Sequence, residues 1–333
     1  MKASFSKYSL NFKRPAGTSR GVYTMRDVWF LSLTESSKTG VGECAPLPGL
    51  SKETPEQVVE LLEHICNNPQ KFIEQPELLQ NTPSVRFALE TALLDLQNGG
   101  RKILFPSLFT EGKECITING LVWMGPFEEQ KKQIIEKLNS GFSCIKLKIG
   151  SLNFEEELKI IEFIRKQKPD VTIRVDANGA FLPKEAPSKL KRLAQYRIHS
   201  IEQPIATGNY GCLAQLCTES PIPVALDEEL IGINSRHKKE ELLDKVRPQF
   251  IVLKPSLHGG IQGCNEWIEL AEERSTGWWI TSYLESNTGL NAIAQWAYTK
   301  NVKIPQGLGT GGLFTNNTES HLTLKGEKLS FVV

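Results

Sequence analysis

The sequence predicts an α/β protein: a barrel of the (β/α)8 type, modified to (β/α)7β by a short last repeat, behind an amino-terminal α+β capping domain. Three observations point there. Five short β-like runs each end in an ionisable residue, and Lys148, Asp176, Glu202, Asp227 and Lys254 follow one another at 28, 26, 25 and 27 residues. A near-constant period means one supersecondary unit repeated, and helical runs between the strands make that unit βα. The runs are almost continuously apolar, as in strands covered on both faces. Before about residue 113 the pattern is different, with interleaved polar and aromatic residues followed by amphipathic helices.

Taken in order, residues 2–12, 20–34 and 40–44 are rich in Phe, Tyr, Val and Leu and read as an antiparallel meander. Arg14-Pro-Ala-Gly-Thr-Ser-Arg20-Gly21 between the first two reads as a loop by composition, as does Gly42 to Ser51 after the third. Thr54-Pro55-Glu56-Gln57 opens a helix with a capping box and a proline at its first position. Val58, Leu61, Leu62 and Ile65 give it one apolar stripe. Thr82-Pro83 starts a second helix with Val85, Ala88, Leu89, Ala92, Leu93 and Leu96 inward, stopped at Gly99-Gly100.

The barrel strands are expected at about 116–121, 144–149, 172–177, 200–204, 223–228, 250–255 and 278–284, with Pro305–Gly309 as a weak eighth. Between the second and third, Phe154, Leu158, Ile161 and Ile164 face inward on a helix. The domains are then 1–113 for the cap, joined by the tail 311–333, and 114–310 for the barrel.

At 333 residues the chain is long enough for a barrel plus a further domain. A net charge of +1 supplies no general field for nucleic acid or an acidic membrane surface. No apolar h-region opens the chain and no run of about 18 apolar residues interrupts it, so a cytoplasmic location is expected. Seven scattered cysteines suit reduced core thiols, and Cys212 with Cys217 lack the second pair a zinc site needs. Asn316-Asn-Thr318 reads as loop polarity, and Trp278-Trp279 as packing between barrel and helices.

Each ionisable residue alone has a plain reading: a strand lysine can reach water, and Asp176 can cap the turn Asp176-Ala-Asn178-Gly179. Together they say more, because barrel active sites lie at the carboxyl ends of the strands. Three acids at matching depth on consecutive strands repel one another unless a cation neutralises them. An all-carboxylate oxygen set with room for water suits Mg2+, with Mn2+ as substitute, rather than zinc. Asp176, Glu202 and Asp227 are the expected ligands; strand alternation should turn Glu228 to the opposite face. Lysines on both sides of such an ion suggest proton chemistry, although a lysine of pKa ~10.4 needs roughly 3–5 kcal/mol of ammonium destabilisation to work near neutrality. A neighbouring lysine, a divalent ion and burial are the available causes. The expected reaction class is abstraction of a proton next to a carboxylate, through a metal-stabilised enediolate.

The ordered motifs Lys146-x-Lys148, Asp176-x-Asn178, Glu202-Gln-Pro, Asp227-Glu and Lys254-Pro resemble the enolase superfamily, muconate-lactonizing subgroup, over nearly the whole chain; a lysine base with Mg2+ is a worked case of the general chemistry there. Gly42–Ser51, Arg174-Val-Asp176 and Thr281–Leu290 further resemble the o-succinylbenzoate synthase family of menaquinone biosynthesis. The resemblance implies a hydro-lyase acting on a small-molecule carboxylate: Lys148 removes the α-proton and assists departure of the hydroxyl in a syn dehydration, Lys254 stabilises the enediolate from the other face, and Lys146 contacts the substrate carboxylate. It implies ring or supporting contacts for Arg174 and Asn178, and makes Ser286 and the backbone near Gly309 candidates for the distal succinyl carboxylate. The loops 14–21 and 47–51 would close over the substrate. The same two-lysine site suits an N-acylamino acid racemase or a dipeptide epimerase. Gly307–Gly312 lacks the Asp-x-Asp with which the epimerases hold a substrate amine. His258 is expected to make a loop contact.

Overall fold

The computed structural model describes residues 1–18 and 21–332. Strands β1 (Lys2–Thr18), β2 (Gly21–Glu35) and β3 (Lys38–Cys44) form the antiparallel meander in that order. The expected loop at 14–21 is instead largely strand. The β1–β2 ladder breaks after Asn11, resumes at Ala16 opposite Tyr23 and runs to Thr18 opposite Gly21. Pro15 falls in the break, where a missing N–H removes no ladder bond; Ser19 and Arg20 lie outside the described residues.

Helix α1 (Pro55–Asn67) begins with the expected capping box: Gln57 N–H donates to Thr54 Oγ1 at 3.3 Å and Thr54 N–H to Gln57 Oε1 at 3.0 Å. After the short α2 (Pro69–Glu74), α3 (Pro83–Gln97) packs directly on the meander. Val58, Leu62 and Ile65 of α1 and Val85, Ala88 and Ala92 of α3 bury against Trp29, Leu31 and Leu33. The α3–β3 approach is so close that a methyl at Gly42 would overlap the Ala88 carbonyl oxygen.

The expected strand at 116–121 divides in two. β4 (Cys115–Thr117) pairs with the carboxyl-terminal hairpin, and only β5 (Gly120–Val122) enters the barrel. Strands then alternate with helices: α4 (Phe127–Asn139), β6 (Cys144–Lys148), α5 (Phe154–Gln167), β7 (Thr172–Asp176), α6 (Ala186–Ala194), β8 (Ser200–Glu202) and α7 (Tyr210–Glu219). The series ends with β9 (Val224–Leu226), α8 (Arg236–Val246), β10 (Phe250–Leu253), α9 (Gly260–Glu273), β11 (Gly277–Ile280) and α10 (Asn287–Thr299). β5 to β11 make one seven-stranded parallel sheet in sequential order.

Residues 305–309 close the gap between its edges. Gln306 N–H donates to Thr117 O and Asn119 N–H to Gln306 O, each at 2.9 Å, while Gly307 N–H donates to Ile280 O at 2.8 Å. The weak eighth strand is therefore a bridging stave rather than a ladder.

Between strands and helices lies the main core, including Ile145, Leu147, Ile173, Val175, Ile201 and Leu226 against Leu158, Ile161, Leu190 and Trp267. Inside the barrel sits a smaller apolar group, Ala225, Val252 and Trp279. Trp279 thus fills the barrel interior rather than the strand–helix layer.

The tail contacts both units: Lys13 N–H donates to Leu313 O at 2.8 Å along β1, and β12 (Leu322–Lys325) and β13 (Lys328–Phe331) form a hairpin on β4. Three further joints tie cap to barrel. Arg26 donates to Tyr283 O at 2.5 Å and Leu284 O at 2.7 Å. Glu43 accepts from Ser286 N–H at 2.8 Å and Gly289 N–H at 2.7 Å. Glu90 accepts from Ile261 N–H at the start of α9, at 2.6 Å.

Candidate active site

Strand register delivers the site. Lys148 pairs with Asp176 and Asp176 with Glu202 along β6, β7 and β8, so these three share one level. Because side chains alternate, Lys146 points to the same interior face as Lys148. Asp227 and Lys254 follow the last residues of β9 and β10. All of these lie at the carboxyl ends of the parallel strands.

The charges are closely interlocked. Lys146 Nζ donates to both oxygens of Glu202, at 2.7 and 2.6 Å, and lies 2.9 Å from Asp176 Oδ2. Lys148 Nζ donates to Asn178 Oδ1 at 2.8 Å and to that same Asp176 oxygen at 3.3 Å. Lys254 Nζ donates to both oxygens of Asp227, with Oδ1 at 2.6 Å.

Burial alone would raise Asp176, but the Lys146 and Lys148 ammonium groups outweigh it and hold the carboxyl well below the usual range. Glu202 goes the other way, pushed well up by burial and by the Asp176 charge beside it. Burial pulls Lys146 and Lys254 down; Asp176 and Glu202 for the first, and Asp227 for the second, more than reverse that and keep both as ammonium.

A cavity of about 860 Å³, counting its mouth, opens over these groups. Lys146, Lys148, Asp176, Asn178 and Lys254 line its floor, and Leu121, Trp123, Tyr283 and Leu284 its sides. Leu47 and Leu50 of the cap close it from above, so the 47–51 loop sits where expected. Tyr23, just past the described part of the first loop, donates its hydroxyl to Pro48 O at 2.8 Å.

Asp176, Glu202 and Asp227 offer only carboxylate oxygens, the donor set of a hard divalent cation. Among the described residues their oxygens are bridged by lysine ammonium groups, and no three acids, histidines or cysteines gather on a single point. The donor set nonetheless fits a cation. Four acid side chains including Glu228 gather at the strand ends beside the three lysines, Glu228 Oε2 is buried without a partner, and an incoming carboxylate adds negative charge.

Residues 129–319 match the "Enolase C-terminal domain-like" family, and residues 1–96 match "MenC, N-terminal domain". The o-succinylbenzoate synthase of Desulfotalea psychrophila is 44% identical to the chain, over 98% of both. The chain belongs to the o-succinylbenzoate synthase family, within the enolase superfamily. The crystal structure of MenC from D. psychrophila superposes with a TM-score of 0.89 at 41% identity, covering 99% of each chain. A dipeptide epimerase from Enterococcus faecalis, solved with Mg and the dipeptide L-Leu-L-Tyr, shares the fold at a TM-score of 0.86 and 21% identity, over 100% of this chain and 96% of that one.

Within this o-succinylbenzoate synthase fold, some expected residues stand elsewhere. Arg174 does not reach the cavity: it is buried beneath the floor, stacked at 4.2 Å on the Trp279 ring, with Nη1 donating to Pro305 O at 2.8 Å. It lies one strand step below Asp176, in the apolar plug of the barrel. Ser286 is also absent from the lining. It caps α10, accepting from Thr288 N–H at 3.1 Å, and its hydroxyl donates to Glu43 at 2.5 Å. The hydroxyls that do line that end are Thr281, Ser282 and Thr310, beside Gly309. His258 makes a loop contact, its Nδ1 accepting from Lys254 N–H at 3.1 Å.

Glu228 was missed for an instructive reason. Alternation holds only inside a strand, and β9 ends at Leu226; a 3-10 turn over Glu228–Leu230 swings Glu228 back into the cavity. The signal was present in the adjacent Asp227-Glu228-Glu229, too short a spacing for strand geometry to decide.

Proposed function

We propose that this chain is a Mg2+-dependent o-succinylbenzoate synthase that removes water from 2-succinyl-6-hydroxy-2,4-cyclohexadiene-1-carboxylate to give 2-succinylbenzoate. One observation carries the reading. Lys148 and Lys254 line one cavity above three strand-end carboxylates, in a chain 44% identical over 98% of its length to an o-succinylbenzoate synthase. Asp176, Glu202 and Asp227 would hold the ion, which when bound supplies positive charge for the carboxylate as its α-proton leaves.

Lys148 in its amine form takes the proton on the carbon bearing the carboxylate. The electron pair left behind forms the new ring double bond as the C–O bond to the hydroxyl breaks, and the Lys148 ammonium returns the proton to that hydroxyl, releasing water. One group serving as base and then acid requires both departures from one face, hence syn elimination. Lys254, held as ammonium by Asp227, faces the cavity from the strand next to that aspartate's and stabilises the developing enediolate. Lys146 sets a second fixed positive charge beside the substrate carboxylate.

Asn178 orients Lys148. For the distal succinyl carboxylate the cavity offers Ser282 and Thr310, whose hydroxyl oxygens lie 2.7 Å apart, with the Gly309 backbone beside them. This assignment replaces Ser286. Arg174 packs on Trp279 and donates to Pro305 O beneath the floor rather than touching the ring. In this reading 114–310 is the catalytic barrel, 1–113 with the tail 311–333 the cap, and the enzyme is cytoplasmic; no helix among the described residues is long and apolar enough to cross a membrane.

The test is loss of the diene absorbance on adding enzyme and Mg2+. Chelation should abolish turnover and added Mg2+ restore it, with Mn2+ as a partial substitute; Lys148→Ala should lose at least a thousandfold in kcat while remaining folded. A folded, metal-loaded wild type without turnover refutes the reading. Lysines on two sides of the cavity also permit 1,1-proton transfer, the chemistry of an N-acylamino acid racemase. Deuterium entering Cα of an N-succinylamino acid with inversion, and no dehydration of the diene, would favour that reading.

A further inference from the structure

Lys148 can act as a base only if its lone pair is free and aimed at the substrate. Its amine form keeps two N–H bonds, and the structure supplies two acceptors for them, Asp176 Oδ2 at 3.3 Å and Asn178 Oδ1 at 2.8 Å. With both occupied, the lone pair takes a remaining tetrahedral direction on a nitrogen that lines the cavity. The arrangement depends on which end of the Asn178 amide faces the lysine. Turned over, the amide would present N–H donors, and one of them would bond to the lone pair.

Glu228 determines that orientation. Its Oε1 accepts from Asn178 Nδ2 at 2.8 Å, which fixes the amide nitrogen on the Glu228 side. Asn178 therefore lies between a donor, Lys148, and an acceptor, Glu228, and only one amide orientation satisfies both. Asn178 is further confined by a left-handed backbone, φ 44°, and by its own N–H donating to Asp176 Oδ1 at 3.0 Å. Glu228 is 6% exposed, and the turn that carries it is pinned from the next strand: Asp227 N–H and Glu229 N–H both donate to Gln203 Oε1, at 3.3 and 3.2 Å.

We propose that Glu228 is a positioning residue that acts through Asn178, holding the amide so that the Lys148 lone pair stays free for proton abstraction. This rests on the reading of Lys148 as the base. Glu228 hydrogen-bonds to Asn178 and not to Lys148, and its removal acts on kcat rather than on substrate affinity.

A double-mutant cycle with the full-length enzyme, Mg2+ and the diene tests it. Glu228→Ala should lower kcat ten- to a hundredfold with KM within threefold of wild type, and Glu228→Gln, which can still accept from Asn178, should recover most of the loss. Asn178→Gly, chosen because glycine tolerates the left-handed backbone, should cost a similar factor. In that background Glu228→Ala should cost no more than a further twofold, since residues acting as one unit are not additive. Glu228→Met fills the same space without an acceptor and gives the same result should the alanine variant fail to fold.

The proposal is overturned if Glu228→Ala keeps kcat within twofold of wild type, or if the two losses multiply in the double variant. It is equally overturned if Glu228→Gln is as damaging as alanine while the Mg2+ concentration for half activity rises tenfold, which would make Glu228 an ion ligand. A wild type that turns nothing over refutes the function itself. A wild type that turns over with an additive cycle refutes the positioning alone.

Discussion

Arg26 is the cap residue whose loss should be felt most at the site. It projects from β2, is 3% exposed, and sends Nη1 to Tyr283 O and Leu284 O and Nη2 to Ala45 O and Pro46 O, at 2.5, 2.7, 2.5 and 3.2 Å. One pair of carbonyls belongs to the barrel wall of the cavity; the other immediately precedes Leu47 and the lid loop. The guanidinium also lies over the Tyr283 ring at 5.4 Å, and its charge, with the Ser256 hydrogen bond, partly relieves the buried acid Glu285, which burial raises. Replacing it by methionine leaves three buried carbonyls and the half-buried Leu284 carbonyl without this donor, and Glu285 without a favourable nearby charge. Charged hydrogen bonds contribute about 1.5–3 kcal/mol each, but a shared donor is not additive, and removing one member of a buried ionic group costs about 3–5 kcal/mol. Arg26→Met should therefore lower unfolding free energy by about 4 kcal/mol in urea titrations. It should also raise KM about tenfold, because Tyr283 and Leu47 lose their common anchor, with a smaller change in kcat. Arg26→Lys, which cannot span both pairs of carbonyls, should recover less than half of either effect. A methionine variant within 1 kcal/mol of wild type and with unchanged KM would show that the two walls are held by packing alone.

Two further perturbations probe the cap. Glu53 accepts from Ser84 N–H at 3.1 Å through one oxygen, leaves the other buried and unpartnered, and is pushed by burial from 4.5 up to about 7. A carboxyl raised on folding keeps a proton that the unfolded chain has released, so its contribution falls as pH rises from about 4.5 to 7 and is constant above, a span of about 3 kcal/mol. Glu43 and Glu90, both raised by burial to about 7, act in the same direction. Glu53→Gln should shrink the difference in urea stability between pH 5 and pH 8 by about 1–3 kcal/mol; an unchanged difference would show that Glu53 ionises freely. Gly42→Ala forces a methyl into the Ala88 carbonyl and should cost about 3 kcal/mol through separation of α3 from β3, read as a lower urea midpoint; a midpoint equal to wild type would mean the helix can retreat without loss.

Much of the candidate site's placement was legible because it obeys strand geometry. Lys146, Lys148, Asp176 and Glu202 sit inside or at the last residue of a strand, where a repeat period and alternation of side chains fix depth and direction. What escaped lies just past the strand ends. Glu228 turns inward because a 3-10 turn, not a strand, carries it, and Ser286 turns away because it caps α10. Arg174 obeys alternation too, but one step deeper, where Trp279 already fills the barrel. Pro15 looks like a loop former, yet a strand tolerates it where the ladder is broken, and Gly17 pairs with Val22 once the ladder resumes. The division of residues 116–121 between β4 and β5 depends on β13, some 210 residues away, so no local pattern could announce it.

The two halves of the site therefore differ in what holds them. The floor is fixed by parallel ladders and by ion pairs between neighbouring and next-neighbouring strands, interactions that exist within the barrel itself. The roof is fixed by joints between units: Arg26 to the Tyr283 loop, Glu43 to the start of α10, and Glu90 to the start of α9, which follows directly on the Lys254 loop. Two of these joints are acids accepting from the first N–H groups of barrel helices, where a helix terminus favours negative charge. Ser286 illustrates the consequence: a residue that reads as a substrate contact is used to dock the cap, while Ser282 and Thr310 line the cavity. Substitutions at the joints should accordingly change which carboxylates are accepted while leaving the proton chemistry of the floor intact, whereas substitutions among the floor charges should suppress turnover for every substrate alike.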